Sequence, residues 1–114
     1  MHSKAKPPTR AEKKRMAAIV DLGCIACILR YRHVPQVAEV HHLLDGGRRR
    51  GHEATIPLCG WHHAGRTHGG RTTTAMISGF GPSLAMNAKA FHDTFGSDEE
   101  LLARTNDLLA KLGR

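Results

Sequence analysis

A chain of 114 residues has the length of one domain, enough for a modest hydrophobic core but small enough that a bound metal would help hold it. Lys and Arg number 17 against 10 Asp and Glu, a formal charge of +7 with the nine histidines neutral, and such an excess attracts polyanions such as nucleic acid. The three cysteines, two of them close together in "CIAC", do not make a secreted disulfide framework, and no apolar run has the length of a membrane span or signal core. The expectation is a soluble cytoplasmic protein with metal-ligating thiols.

Residues 1–9 read as a basic, proline-containing tail, and residues 10–114 as one domain. After the tail, "TRAEKKRMAAIVDLG" predicts a helix: Thr9 and Glu12 fit a capping box, and Gly23 can end it. Met16, Ile19, Val20 and Leu22 form its apolar side. Arg10, Lys13, Lys14 and Arg15 form its polar side, a solvated face or a contact for phosphates. The "GCIAC" turn follows, and then residues 28–44, where Val34, Val37 and Val40 give β character and Ala38 to His42 read as a strand.

"LLDGGRRRGHEA" brackets three arginines with glycines and predicts a loop or hairpin. "TIPL" is a short strand that Pro57 confines to an edge, and a short helix begins at Cys59 and stops near Gly65. "GRTHGGRTTT" reads as a mobile connection. "GPSLAMNAKAFHDTFG" predicts a helix opened by Pro82 and Ser83 and closed at Gly96. A last helix starts at a Ser97 and Glu100 capping box and repeats Leu101, Leu102, Leu108, Leu109 and Leu112 as core positions.

Two hooks, Cys24 with Cys27 and Cys59 with His62, are separated by thirty-one residues. Zinc takes four tetrahedral nitrogen or sulfur ligands, and two such hooks supply them while stapling distant segments together. Cys24, Cys27, Cys59 and His62 are therefore the expected structural zinc site. A Cys2His2 finger fails, because His41 and His42 are adjacent where a finger needs three to five residues between its histidines. His41, His42 and His63 are left over in the same neighbourhood. On a helix, positions 62 and 63 point about 100° apart, so one imidazole can face zinc while its neighbour faces a different cavity.

The order "CIAC", "EVHHLLDGG", "TIPLCGWHH" resembles the HNH nucleases, the ββα-metal or His-Me finger enzymes. More narrowly, "VHHLLDGGRRRGHEATIPLCGWHH" followed by "GPSLAMNAKAFHDTFG" is similar to phage and prophage recombination-enhancement nucleases of the Ref type, over about residues 23–96. The resemblance implies an α+β fold with a small zinc-stabilised ββα-metal core and flanking helices. It implies His41 as first ligand of a catalytic ion, His42 as general base and His63 as second ligand, with His62 standing where many relatives have a zinc cysteine. The ion would be magnesium or manganese, with zinc also able to serve, and the products would carry 5′-phosphates and 3′-hydroxyls. One departure is that Ala54 or Thr55 occupies the register of the asparagine usual between the histidine sites; His52 stands nearby as a substitute or further ligand.

A phosphodiester needs an activated water and charge relief on the phosphate and leaving oxygen, and a neutral imidazole suits the first task because its ordinary pKa lies near operating pH. Arg48, Arg49 and Arg50 are placed to hold the DNA backbone. His92 is read as supporting the site from behind, Trp61 as packing, and His2, His33 and His68 as not ligating. The rival reading is a zinc-stabilised DNA-binding module without catalysis; a zinc-folded protein adaptor ranks below it. Dependence on a RecA filament follows from the Ref-type resemblance, and a domain this small has little room for DNA specificity of its own.

Overall fold

The computed structural model describes residues 6–31 and 37–114, so His2, His33 and Val34 lie outside the described residues. Helix α1 spans Arg10–Leu22. Its capping box forms as the sequence predicts: the Thr9 amide donates to Glu12 Oε1 at 2.8 Å and the Glu12 amide donates to Thr9 Oγ1 at 3.1 Å. Gly23, at φ 89°, ends it. Ala18 and Ile19 are buried against Leu109, with Leu22 and Val40 at the margin.

Arg15 leaves the polar side expected of it. Its guanidinium donates to Thr55 Oγ1 at 3.2 Å, to the Thr55 carbonyl at 2.8 Å and to Asn106 Oδ1 at 2.7 Å, so one side chain joins α1 to two later elements. After Gly23 the chain does not turn straight toward a strand. It passes the buried Cys24 and winds into a π-helical turn, Cys27–Tyr31, that opens at the equally buried Cys27.

Strand β1, Ala38–His42, pairs antiparallel with β4, Thr55–Cys59, with Ala38 opposite Cys59, Val40 opposite Pro57 and His42 opposite Thr55. In a two-stranded sheet both strands are edges, which admits Pro57. Between them β2, Leu44–Asp45, and β3, Arg48–Arg49, make a hairpin whose turn residues Gly46 and Gly47 have φ of 60° and 82°, the left-handed pair that a tight two-residue turn requires. The Leu43 amide donates to the Ala54 carbonyl, and the Arg50 amide to the Leu43 carbonyl, fastening the hairpin to the sheet.

Helix α2, Gly60–Ala64, follows β4 without a gap and stops at Gly65, which takes φ 72°. Helix α3, Thr73–Phe80, starts in the last two residues of what reads as a mobile connection, capped by Thr72 Oγ1 and stopped by Gly81. Helix α4 spans only Ala88–Phe95 and starts at Asn87 rather than at Pro82. The reason is competition for backbone donors: the Leu84 amide donates to the His62 carbonyl of α2, holding residues 84–86 in a turn, and Asn87 Oδ1 accepts from the Ala90 amide as a true cap.

Helix α5, Asp98–Lys111, carries the expected Ser97 and Glu100 capping box. Its inward stripe is Leu101, Thr105 and Leu109, with the Thr105 hydroxyl satisfied by the Leu101 carbonyl; Leu112 is exposed. The main core gathers Ile25, Leu43, Ile56, Leu58, Trp61, Met76, Phe91, Phe95 and Leu101 around the three cysteines. Trp61 packs there and donates its indole N–H to the Gly81 carbonyl at 2.9 Å. The fold is thus α+β, helices around a two-stranded antiparallel sheet with a Cys3His cluster at its centre.

Candidate metal centre and histidine cleft

The end of β4 and the start of α2 bring Cys59 and His62 together with Cys24, which follows α1, and Cys27, which opens the π-helical turn. The four ligand atoms all lie within 4.8 Å of one another, and all four residues are buried. His62 Nδ1 sits 3.3 Å from Cys24 Sγ, 3.7 Å from Cys27 Sγ and 3.3 Å from Cys59 Sγ. A tetrahedral zinc with bonds of about 2.3 Å to sulfur and about 2.0 Å to nitrogen holds those atoms about 3.5 Å apart, so the cluster has the size of a zinc site.

Two further observations fit. His62 Nε2 donates to the Phe80 carbonyl at 2.7 Å, which turns Nδ1 toward the sulfurs and gives α3 its purpose in the fold. Cys24, Cys59 and His62 also compete for protons: burial drives the Cys24 thiol up, hydrogen bonds from Cys24 and Cys27 drive Cys59 down, and on His62 the bonds to Cys27 and Cys59 outweigh burial and push it up to about 9. A cation resolves that competition by replacing the shared protons.

The adjacent imidazole, His63, belongs to a different environment. Alternation along β1 sets Glu39 and His41 on one face and Val40 and His42 on the other. On the first face His41 and His63 meet edge to face with ring centroids 5.1 Å apart, and His63 Nδ1 donates to Glu39 Oε1 at 2.7 Å. Arg66 holds the other oxygen of Glu39. The hydrogen bond from His63 is the leading cause that holds the Glu39 carboxyl below its usual range. With Nδ1 so engaged, Nε2 of His63 is the nitrogen available to a cation.

Burial, then the neighbouring His63, pushes His41 down to about 4, which leaves its imidazole neutral at physiological pH. Asp98 and His92 act on it in opposite senses from the side of α4 and α5. His92 is itself fixed by donating from Nδ1 to the Gly96 carbonyl at 2.9 Å.

On the second face His42 Nε2 lies 3.1 Å from His52 Nδ1. Both line an open cleft of about 420 Å³ together with Lys6, Thr9 and Arg49. Partial burial, then Arg49 and His52, lowers the pKa of His42. The three arginines of the hairpin part company: Arg50 is ion-paired with Glu99, whereas Arg48 and Arg49 project as an exposed pair. No described helix is long and apolar enough to cross a membrane.

Residues 8–110 match the family described as recombination enhancement, RecA-dependent nuclease. The chain belongs to this family. Its name makes nuclease chemistry, in recombination that depends on RecA, the frame in which these residues are to be understood. The matched residues take in the Cys3His cluster, both histidine pairs and the arginine hairpin; Lys6, at the edge of the cleft, precedes them.

The structure brings together the four expected zinc ligands, joins His41 to His63 and joins His42 to His52. Sequence reasoning passed over Glu39 and Arg66. The signal was present for the first, since a residue two before His41 in a strand must share its face. Arg66 lies beyond the end of α2, and only the turn at Gly65 returns its side chain to Glu39.

Proposed function

We propose that the chain is a metal-dependent DNA endonuclease of the HNH type that hydrolyses phosphodiester bonds and acts with a RecA filament. The observation that carries this reading is the pairing of His41 with His63, backed by Glu39, at the open end of a strand, hairpin, strand and helix unit, with His42 beside it opening onto a basic cleft. His41 and His63 would hold the ion. A divalent ion bound there, magnesium or manganese with zinc also able to serve, supplies charge relief on the phosphate and on the leaving oxygen.

The protein groups do the rest. Glu39 keeps the proton of His63 on Nδ1, and burial keeps His41 neutral, so both rings present lone pairs. His42 takes the proton of the attacking water, and partial burial, then Arg49 and His52, favour its unprotonated form. Arg48 and Arg49 grip the DNA backbone, and Lys6 adds charge to the cleft wall. Arg50, paired with Glu99, contributes by ordering the hairpin. The Cys3His zinc is architectural and takes no part in the reaction.

The test is cleavage of bare and RecA-coated DNA by wild type and His42→Ala, with magnesium or manganese added to zinc-replete protein. Wild type should cut, and folded His42→Ala should bind equally but lose roughly a hundredfold or more of the rate. Equal DNA binding with no cutting by wild type under any of these conditions would instead make the chain a zinc-stabilised DNA-binding module.

A further inference from the structure

His52 stands ten positions after His42, in the segment that returns the hairpin to β4, and its backbone carbonyl is anchored. The Thr55 hydroxyl, fully buried, donates to the His52 carbonyl at 2.9 Å, and Arg15 grips Thr55 at both its hydroxyl and its carbonyl. The ring is fixed as well. His52 Nε2 lies 3.1 Å from the Lys6 carbonyl, and His52 Nδ1 lies 3.1 Å from His42 Nε2.

A carbonyl oxygen only accepts, so the hydrogen of a neutral His52 is on Nε2 and its Nδ1 is an acceptor. His42 must then donate from Nε2, and its Nδ1 is left as the unprotonated nitrogen. With both rings neutral, the contacts admit only this arrangement: His42 Nε2–H to His52 Nδ1, and His52 Nε2–H to the Lys6 carbonyl. The chain of donors fixes the ring plane of His42 together with its tautomer, and it occupies both nitrogens of His52.

We infer that His52 is the positioning residue for His42, holding it through the Lys6 carbonyl as the Nε2–H tautomer so that Nδ1 faces the cleft as the proton acceptor. This rests on His42 being the base. It gives Lys6 a role through its backbone, because the segment that supplies its carbonyl is also a wall of the cleft. It also removes His52 from the candidate ion ligands.

The experiment compares wild type, His52→Ala and His52→Asn in single-turnover cleavage of RecA-coated DNA with manganese, alongside DNA affinity, manganese affinity and zinc content. Asparagine places an acceptor oxygen near the position of Nδ1. His52→Ala should cut roughly ten- to a hundredfold more slowly with DNA and manganese affinities and zinc content unchanged, and His52→Asn should recover most of the rate. Nitrogen-15 spectra should show the His42 Nε2–H proton protected from exchange in wild type and His52→Asn and unprotected in His52→Ala.

Wild-type cleavage by His52→Ala overturns the inference and leaves the nuclease reading intact. Loss of manganese affinity in His52→Ala overturns it by making His52 a ligand. A wild-type His42 that carries its proton on Nδ1 overturns it directly. If wild type itself does not cut, the nuclease reading fails and the inference falls with it.

Discussion

His62 and His63 are neighbours in one short helix, yet they belong to two regions built on opposite rules. His62 is fully buried, its Nδ1 converges with three sulfurs, and its other nitrogen is tied to a backbone carbonyl. His63 is partly exposed, meets His41 at ring-contact distance rather than ligand distance, and is oriented by a carboxylate. The first region is closed in the manner of a structural zinc site, with all four ligands supplied by the chain. The second keeps positions open and spends its extra residues on aiming imidazoles, as a site that must admit substrate does. Adjacent residues can serve both because the helix turns their side chains about 100° apart.

That contrast can be broken most sharply through the zinc cluster. Chelation of zinc, or Cys59→Ser, should abolish the cooperative thermal transition seen by circular dichroism, since structural zinc in small domains is worth about 10 kcal/mol or more. Elemental analysis of the wild type should find one tightly held zinc. Survival of the transition without zinc would mean that the core alone holds the fold.

The open region should behave in the reverse way. His63→Ala should leave melting temperature and zinc content nearly unchanged while eliminating manganese-dependent cleavage, and Glu39→Gln should weaken manganese binding roughly tenfold, measurable by calorimetry. Coupled loss of folding and ion binding in either variant would erase the distinction between the two regions.

A smaller effect should come from the hairpin. Replacing Arg48 and Arg49 together by alanine should weaken DNA binding without regard to sequence and reduce the slope of log affinity against log salt by about 2. Replacing Arg50 should change the slope less, because Glu99 already neutralises it. The order is read from titrations at several salt concentrations.

The remaining expected effect concerns acid. The unfolded chain takes up a proton on His41 near its ordinary value of 6.5, whereas the folded chain resists until about 4, so the unfolded state binds more protons in between and stability declines as pH falls from 6.5 toward 4. His41→Gln cannot be protonated and should flatten that part of the profile. Denaturant melts of the two proteins across that range, both zinc-loaded, isolate the contribution.

Much of this was legible in the chain itself. Thr9 with Glu12 and Ser97 with Glu100 announced two helix starts, because a capping box depends on residues three apart. The two hooks named the four residues of the Cys3His cluster, because short fixed spacings are what a tetrahedral ion demands. The strand that ends in two histidines, and the short helix that follows Cys59, were set by local pattern as well.

What tertiary structure alone decided lies between segments far apart in sequence. Helix α3 was hidden in threonines and glycines, and its last carbonyl matters because it meets His62; the early turns of the expected fourth helix were given up when Leu84 bonded to α2. Arg15 looked like surface charge until Thr55 and Asn106 closed around it. The pairings of His41 with His63 and of His42 with His52 follow from which strand face and which loop the fold brings together. Local propensity and spacing act over a few residues and can be read along the chain. The orientation of these imidazoles depends on partners up to forty-six positions away, and only the packed chain chooses them.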